Sequence, residues 1–435
     1  MSIIKTRPQT GFEKDFLGSG EIVQLALELD FKDIAPMIKK IENFAIGLRL
    51  KKDGNNLAML DEMHPIRRIP DSIKNAQEAA EWAAKQEFDF DKQLSILSAN
   101  DRFIVFNSSH AIADGGYLST LLRSLTESGN SSTSKNASNL NEGDVSSFPL
   151  GFYDFFKDGI DQYKREKVVF NDIPFANQIT RYNWHSTIPI EKFAKSKIAD
   201  YITYIDKVED YACYNKETKK CQSLTETQWT SLILAANACN QINQNDYDSK
   251  KLLGCSTCVD IRPLLPKNTN LRNVQNFFCV MNILCRNYSP DMTLAEFGKE
   301  LRRFFNERNE NSGLMEAIYC FYDGFPQSEQ VPTYSIIETS NVGPQYIKPP
   351  IKDIWMAQSQ PAINTDFGIC LLSYGKKGKN VDDMIMRMRY SSRVVTHKDA
   401  KAIAESVRFF LKNMPQNTKF GEALNEIVKF QRQFH

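Results

Sequence analysis

The chain has 435 residues, enough for two ordinary domains, and its 42% hydrophobic content permits a core in each. Its 54 lysines and arginines balance 53 aspartates and glutamates to a formal charge of +1, which argues against a nucleic-acid partner. Nine cysteines, none before Cys213, do not read as a secreted disulfide framework, and neither a signal-peptide core over residues 1–8 nor a spanning run of roughly 20 apolar residues is found, so a cytoplasmic protein is expected.

Residues 21–27 read as a strand, 33–43 as a helix and 45–60 as a hairpin turning at Asp53-Gly54-Asn55-Asn56. Asp71 is placed as the cap of an alanine-rich helix that reaches residue 86. A strand follows near Leu94. Phe103-Ile104-Val105-Phe106 form another, and Leu118, Leu121, Leu122 and Leu125 then repeat at helical spacing. Residues 127–147 are rich in Ser, Asn, Gly and Thr with hardly an apolar side chain, a composition that predicts a disordered surface insertion. The Asn-x-Ser sequons at Asn130 and Asn136 carry no weight without a secretory leader. A helix is expected over 152–167, with 168–196 crossing to the second half.

The second half opens with a strand over 201–208. A helix then starts at Ser223-Leu224-Thr225-Glu226, which has capping-box spacing with Ser223 at the cap, and runs through Trp229, Leu232, Ile233 and Ala236 to about residue 241. Strands near 252–259 and 277–285 and helices near 292–307 and 397–412 follow. Cys255-Ser256-Thr257-Cys258 has no second pair and no nearby histidine, so it reads as buried thiols in a strand rather than zinc ligands. Phe420, Leu424, Ile427, Val428, Phe430 and Phe434 fall on one side of a last helix. Docking on the protein's own core is the first reading of that face, and peripheral contact with the endoplasmic reticulum or a lipid droplet is the alternative. The whole alternation describes an α/β protein with mixed sheets.

The chemistry concentrates where the strand ending near Phe106 meets the helix of Leu118. His110 and Asp114 stand there four residues apart, followed by Gly115 and Gly116. Irregular backbone at such a joint can aim an imidazole into a cleft, and a neutral histidine is suited to take a proton near pH 7. Asp114 is either the cap of the helix or the partner of a buried cation; both roles would hold the loop rigid.

The run His110-Ala111-Ile112-Ala113-Asp114-Gly115 is similar to the His-x-x-x-Asp-Gly signature of the CoA-dependent acyltransferase superfamily, which includes chloramphenicol acetyltransferase, condensation domains, plant BAHD acyltransferases and fungal alcohol acetyltransferases. Val259-Asp260-Ile261-Arg262-Pro263-Leu264-Leu265-Pro266 resembles the superfamily's Asp-x-Arg-Pro segment, and Ser340-Asn341-Val342-Gly343 its Ser-Asn-x-Gly strand end. Asp366-Phe367-Gly368 is similar to the start of a plant motif, with Ile369-Cys370 in place of Trp-Gly. Four segments in the expected order point most closely to the fungal alcohol acetyltransferase branch.

The resemblance implies two chloramphenicol-acetyltransferase-like halves, 1–170 with the His110 motif and 171–435, with an active-site channel between them. Acetyl-CoA would be the co-substrate and no cofactor or metal would be held permanently. His110 would act as general base, without a covalent acyl-enzyme, while Asp114 would point away and pair with Arg262. Gly115 and Gly116 would let the chain turn tightly beside the loop. Asn341 is either a hydrogen-bond donor to the oxyanion or a turn asparagine ahead of Gly343. Lys376, Lys377 and Lys379 form a basic, Gly-flanked loop that would either meet the CoA phosphates or be a solvated turn. The expected acceptor is an alcohol. A long-chain amine such as a sphingoid base is the alternative, and a non-catalytic interaction protein with the same fold a further one, against which the presence of both His110 and Asp114 argues. A serine hydrolase is disfavoured because no Gly-x-Ser-x-Gly elbow occurs.

Overall fold

The computed structural model of the protein describes residues 1–126, 147–166, 187–188, 199–243, 253–274, 276–310, 314–315, 317–318, 337–359, 368–379 and 381–435. In chain order the elements are β1 (Ile3–Pro8), α1 (Gly11–Ser19), β2 (Ile22–Glu28), α2 (Phe31–Phe44), β3 (Leu50–Asp53), β4 (Asn56–Leu60), β5 (Arg67–Arg68), α3 (Ala76–Ala84), β6 (Ser95–Ala99), β7 (Phe103–Ser109), α4 (Gly115–Thr126) and α5 (Phe152–Glu166). They continue with β8 (Ala199–Lys207), β9 (Tyr214–Asn215), β10 (Lys220–Cys221), α6 (Leu224–Ile242), β11 (Leu253–Asp260), β12 (Phe278–Cys285), α7 (Leu294–Glu310), β13 (Ile337–Tyr346), β14 (Asp353–Ser359), β15 (Ile369–Lys377), β16 (Asp382–Ser391), α8 (His397–Asn413) and α9 (Phe420–Gln431).

Two mixed sheets carry the architecture. In β2 every side chain but the last is buried, as a strand needs to be when neighbours flank it and helices cover it. It sits inside a five-stranded sheet of order β14-β2-β7-β6-β5, and apolar residues of α2, α3 and α4 complete that core. The second sheet has the order β12-β11-β13-β15-β16-β8. Its core is built around α6, which is buried from Thr227 to Asn240 and is covered by α7, α8 and α9. A helix enclosed on all sides must satisfy its polar side chains internally. Here Thr230 donates to Glu226 O, Ser231 to Gln228 O and Asn237 to Ile233 O.

The sheets do not follow a division of the chain at residue 170. Strand β14 comes from the second half of the sequence, yet it pairs antiparallel with β2 over its full length, from Asp353 opposite Glu28 to Ser359 opposite Ile22. Between β13 and β15 of the second sheet, the chain thus contributes a strand to the first.

Local readings fail where another side chain competes better. Asp71 is not the cap of α3: Asn75 accepts from Glu78 N at 2.8 Å, Glu78 in turn accepts from Lys74 N at 2.9 Å, and Asp71 is held by Arg68. Ser223 does precede α6, but its backbone is left-handed and its side chain makes no cap, while Glu226 turns to Arg302 at 2.5 Å. The first arm of the predicted hairpin begins as a 3₁₀ turn, Ile46–Arg49, before β3. Residues 127–146 of the predicted insertion, most of the 168–196 crossing, and Asp366-Phe367 lie outside the described residues.

Among the described residues no helix is long and apolar enough to cross a membrane. The apolar face of α9 docks inward: Phe420, Ala423, Leu424, Ile427 and Val428 are buried, and Phe430 stacks on Phe409 with ring centroids 4.4 Å apart. The membrane-contact alternative for this helix thus loses the exposed face it required. Phe420 is fully buried between Phe297 and Tyr288. Its truncation to alanine is expected to cost about 3–5 kcal/mol in chemical denaturation, whereas Phe31→Ala, 72% exposed at the start of α2, should stay within about 0.5 kcal/mol.

Candidate active site

Strand β7 delivers His110 one residue past its end. The main chain is fixed there from several directions: Ser109 N donates to Leu94 O and His110 N to Glu21 O, each at 2.8 Å, Ala111 N donates to Ser109 Oγ at 3.2 Å, and Asn276 Nδ2 donates to His110 O. The imidazole, 7% exposed, stacks on Phe16 with centroids 4.4 Å apart and tilts against Phe278 at 5.4 Å. Neither ring nitrogen has a protein partner among the described residues, and Nδ1 is fully enclosed. Packing and main-chain hydrogen bonds, not a carboxylate, set the orientation of the ring.

Asp114 serves both of the roles that its position left open. One oxygen, Oδ1, accepts from Tyr117 N at 2.6 Å, the third residue of α4, and so caps that helix. The same oxygen lies 2.7 Å from Arg262 Nη2, 148 positions away in sequence, and the other oxygen accepts from Phe277 N at 2.6 Å. Both side chains are about 95% enclosed, at 4% and 5% exposure. Arg262 also reaches Asp260 Oδ1 at 3.0 Å and the carbonyls of Val274 and Phe277 at 3.3 and 3.5 Å. Burial opposes its charge, but the two aspartates more than offset that and raise it above its ordinary value.

The glycines matter through contact rather than turning. A Cβ on Gly116 would come within 2.3 Å of Arg262 Nη1, and one on Gly115 within 3.0 Å of Val342 on β13. The start of α4 therefore approaches the second sheet more closely than any side chain permits.

His110, α4 and the two sheets enclose a cavity of about 410 Å³, within the range of small-molecule sites. It is lined from both layers, by Phe16, Glu21, His110, Glu338, Asn341 and Arg389 among others. Asn341 has a turn role: its Oδ1 accepts from Gly343 N at 2.9 Å, where Gly343 has φ +78°, while its Nδ2 reaches Thr225 Oγ1 at 3.5 Å. The three lysines do not line the cavity. Lys376 and Lys377 belong to β15, not to a loop, and each is taken by a carboxylate: Lys376 pairs with Asp353 at 2.6 Å, Lys377 with Asp382. Only Lys379 sits in the turn that follows. Cys255 is buried in the second core, but Cys258, three positions on, faces the cavity, because residues an odd number apart on a strand take opposite faces.

Sequence reading missed Phe16, Glu21, Asn276, Phe278, Glu338 and Arg389. Apart from Asn276 and Phe278, which share the run into β12, they come from separate segments that no motif spacing links. A lone acid at the head of the apolar run of β2 was the one available signal for Glu21.

No family model matches the chain, and no curated protein matches it either. Among solved structures it is similar to polyketide synthase associated protein 5 from Mycobacterium tuberculosis, with a TM-score of 0.61 and 13% identity over 95% of this chain and 98% of that one. It is similar to the condensation domain of a monacolin K polyketide synthase, with a TM-score of 0.58 and 10% identity over 97% and 100%. A third similarity is to trichothecene 15-O-acetyltransferase from Fusarium sporotrichioides, with a TM-score of 0.54 and 11% identity over 93% and 95%. The fold is thus the two-lobed one of condensation domains and acetyltransferases.

Deleting one partner of a buried ion pair strands the other, at about 3–5 kcal/mol. Asp114→Ala and Arg262→Ala are each expected to lose that much in urea titration, and the double variant clearly less than their sum. Gly116→Ala should cost about 1–3 kcal/mol by overpacking against Arg262.

Proposed function

We propose that this chain is an acetyl-CoA-dependent acyltransferase that acetylates the hydroxyl of an alcohol, in the manner of the fungal alcohol acetyltransferases it resembles, with His110 as general base. The observation that carries the reading is the placement of His110: its ring stands in the wall of the cavity between the layers, held by Phe16 and by backbone, with no protein group claiming either nitrogen among the described residues. The fold shared with a 15-O-acetyltransferase supports the reaction class.

In this reading the acceptor hydroxyl gives its proton to His110 as its oxygen attacks the thioester carbonyl of acetyl-CoA. The tetrahedral intermediate then collapses, the carbon–sulfur bond breaks, and the proton on His110 passes to the departing thiolate, leaving an ester and free CoA. No bond to the protein forms. Asn341 lines the same cavity, and its amide is our candidate donor to the oxyanion. Asp114 and Arg262 act as positioning residues, since both carboxylate oxygens of Asp114 are already engaged. The halves of the superfamily are proposed to correspond to the two sheets, with β14 exchanged between them.

General-base assistance is worth about 10²–10⁴-fold. His110→Ala is therefore expected to lower acceptor-dependent release of free thiol from acetyl-CoA at least about a hundredfold, with the melting temperature within a few degrees of wild type. Activity within about threefold of wild type would remove His110 as the base.

A further inference from the structure

The cavity contains a second polar group of side chains that proton transfer by His110 does not use. Glu338 on β13, Cys370 on β15 and Arg389 on β16 are successive register partners, so they form one row across the second sheet. Glu21 meets this row from the first sheet. Arg389 Nη1 donates to Glu21 Oε1 at 2.5 Å, and Gln358 Nε2 donates to the same oxygen. With side chains 7% and 2% exposed, that ion pair is closed.

Glu338 is left over. Among the described residues no lysine, arginine or histidine lies within ion-pair distance of it, and the Cys370 thiol, a weak donor, gives it a hydrogen bond at 3.3 Å. Burial raises its carboxyl above the ordinary range, although Arg389 pulls the other way. Burial and the Glu338 charge likewise push the Cys258 and Cys370 thiols well up, which keeps them as neutral donors. Two carboxylates against one guanidinium make this wall one cation short when both are ionised. It disfavours an anionic ligand and leaves a place for a positive one.

Resting on the acyl-transfer reading above, we propose that Glu338 selects the acceptor by binding a protonated amino group, so that the preferred substrate is an amino alcohol whose hydroxyl meets His110. An ammonium supplies three donors and the missing charge, whereas a plain hydroxyl supplies one donor and no charge. The Glu338 carboxylate meets the ammonium, and the Glu21–Arg389 pair keeps Arg389 engaged elsewhere.

The test uses the full chain and two probes, a dimethylamino alcohol, whose tertiary nitrogen cannot form an amide, and a plain alcohol of equal chain length. Calorimetric titration without acetyl-CoA is expected to show the amino alcohol binding at least about tenfold more tightly, and Glu338→Gln to remove most of that ratio; Glu338→Ala carries the same expectation if the glutamine variant does not fold. Equal affinities in the wild type, or an unchanged ratio in the variants, overturn the assignment. Thiol release with acetyl-CoA is measured separately. Selective binding without turnover keeps Glu338 as the selecting residue and sinks the transferase reading, while turnover without selectivity does the reverse.

Discussion

The bond between Asp114 and Arg262 is the constraint on which the rest of the site depends. A single carboxylate caps α4, accepts from the backbone of Phe277 at the head of β12 and faces a guanidinium that itself gathers Asp260 and two main-chain carbonyls. Two charges enclosed to this degree are tolerable only because nearly every lone pair and proton has a partner. The result is a fixed distance between the loop after β7 and the connection between β11 and β12. Gly116 lets that distance be short.

The same arrangement sets what kind of base His110 would be in the proposed reaction. Asp114, four residues away, is spent on Arg262 and on backbone, and among the described residues no carboxylate stands behind the imidazole as in a serine-protease triad. Orientation comes instead from Phe16, Phe278 and the hydrogen bonds of the loop's own main chain. Among the described residues no carboxylate pairs with the ring. That suits a proposed reaction in which the proton leaves again for the CoA thiolate.

Much of this was legible in the sequence because it is local. The strand of Phe103 to Phe106, the leucines of α4 and the inward face of α9 follow from periodicity, and the His110–Asp114 spacing marked the loop. Arg262 as the partner of Asp114 came through resemblance, since nothing in the sequence connects residues 148 apart. The return of β14 to the first sheet was invisible for the same reason, as was the gathering of Glu21, just ahead of β2, with Glu338 of β13 and Arg389 of β16. Lys376 and Lys377 misled for a physical cause: the composition around them reads as a turn, but β15 continues through both and neighbouring aspartates claim their charges.

The most direct measurement of the central claim is the turnover of Arg262→Lys, recorded as acceptor-dependent thiol release well below its melting temperature. Lysine keeps the charge but loses the planar fork that spans Asp114, Asp260 and the two carbonyls, so the loop carrying His110 would be held at one point instead of several. The account predicts folded protein whose turnover falls at least about tenfold, because misplacement of a reacting group by a fraction of an ångström to an ångström is that costly. A folded Arg262→Lys variant with wild-type turnover would contradict it.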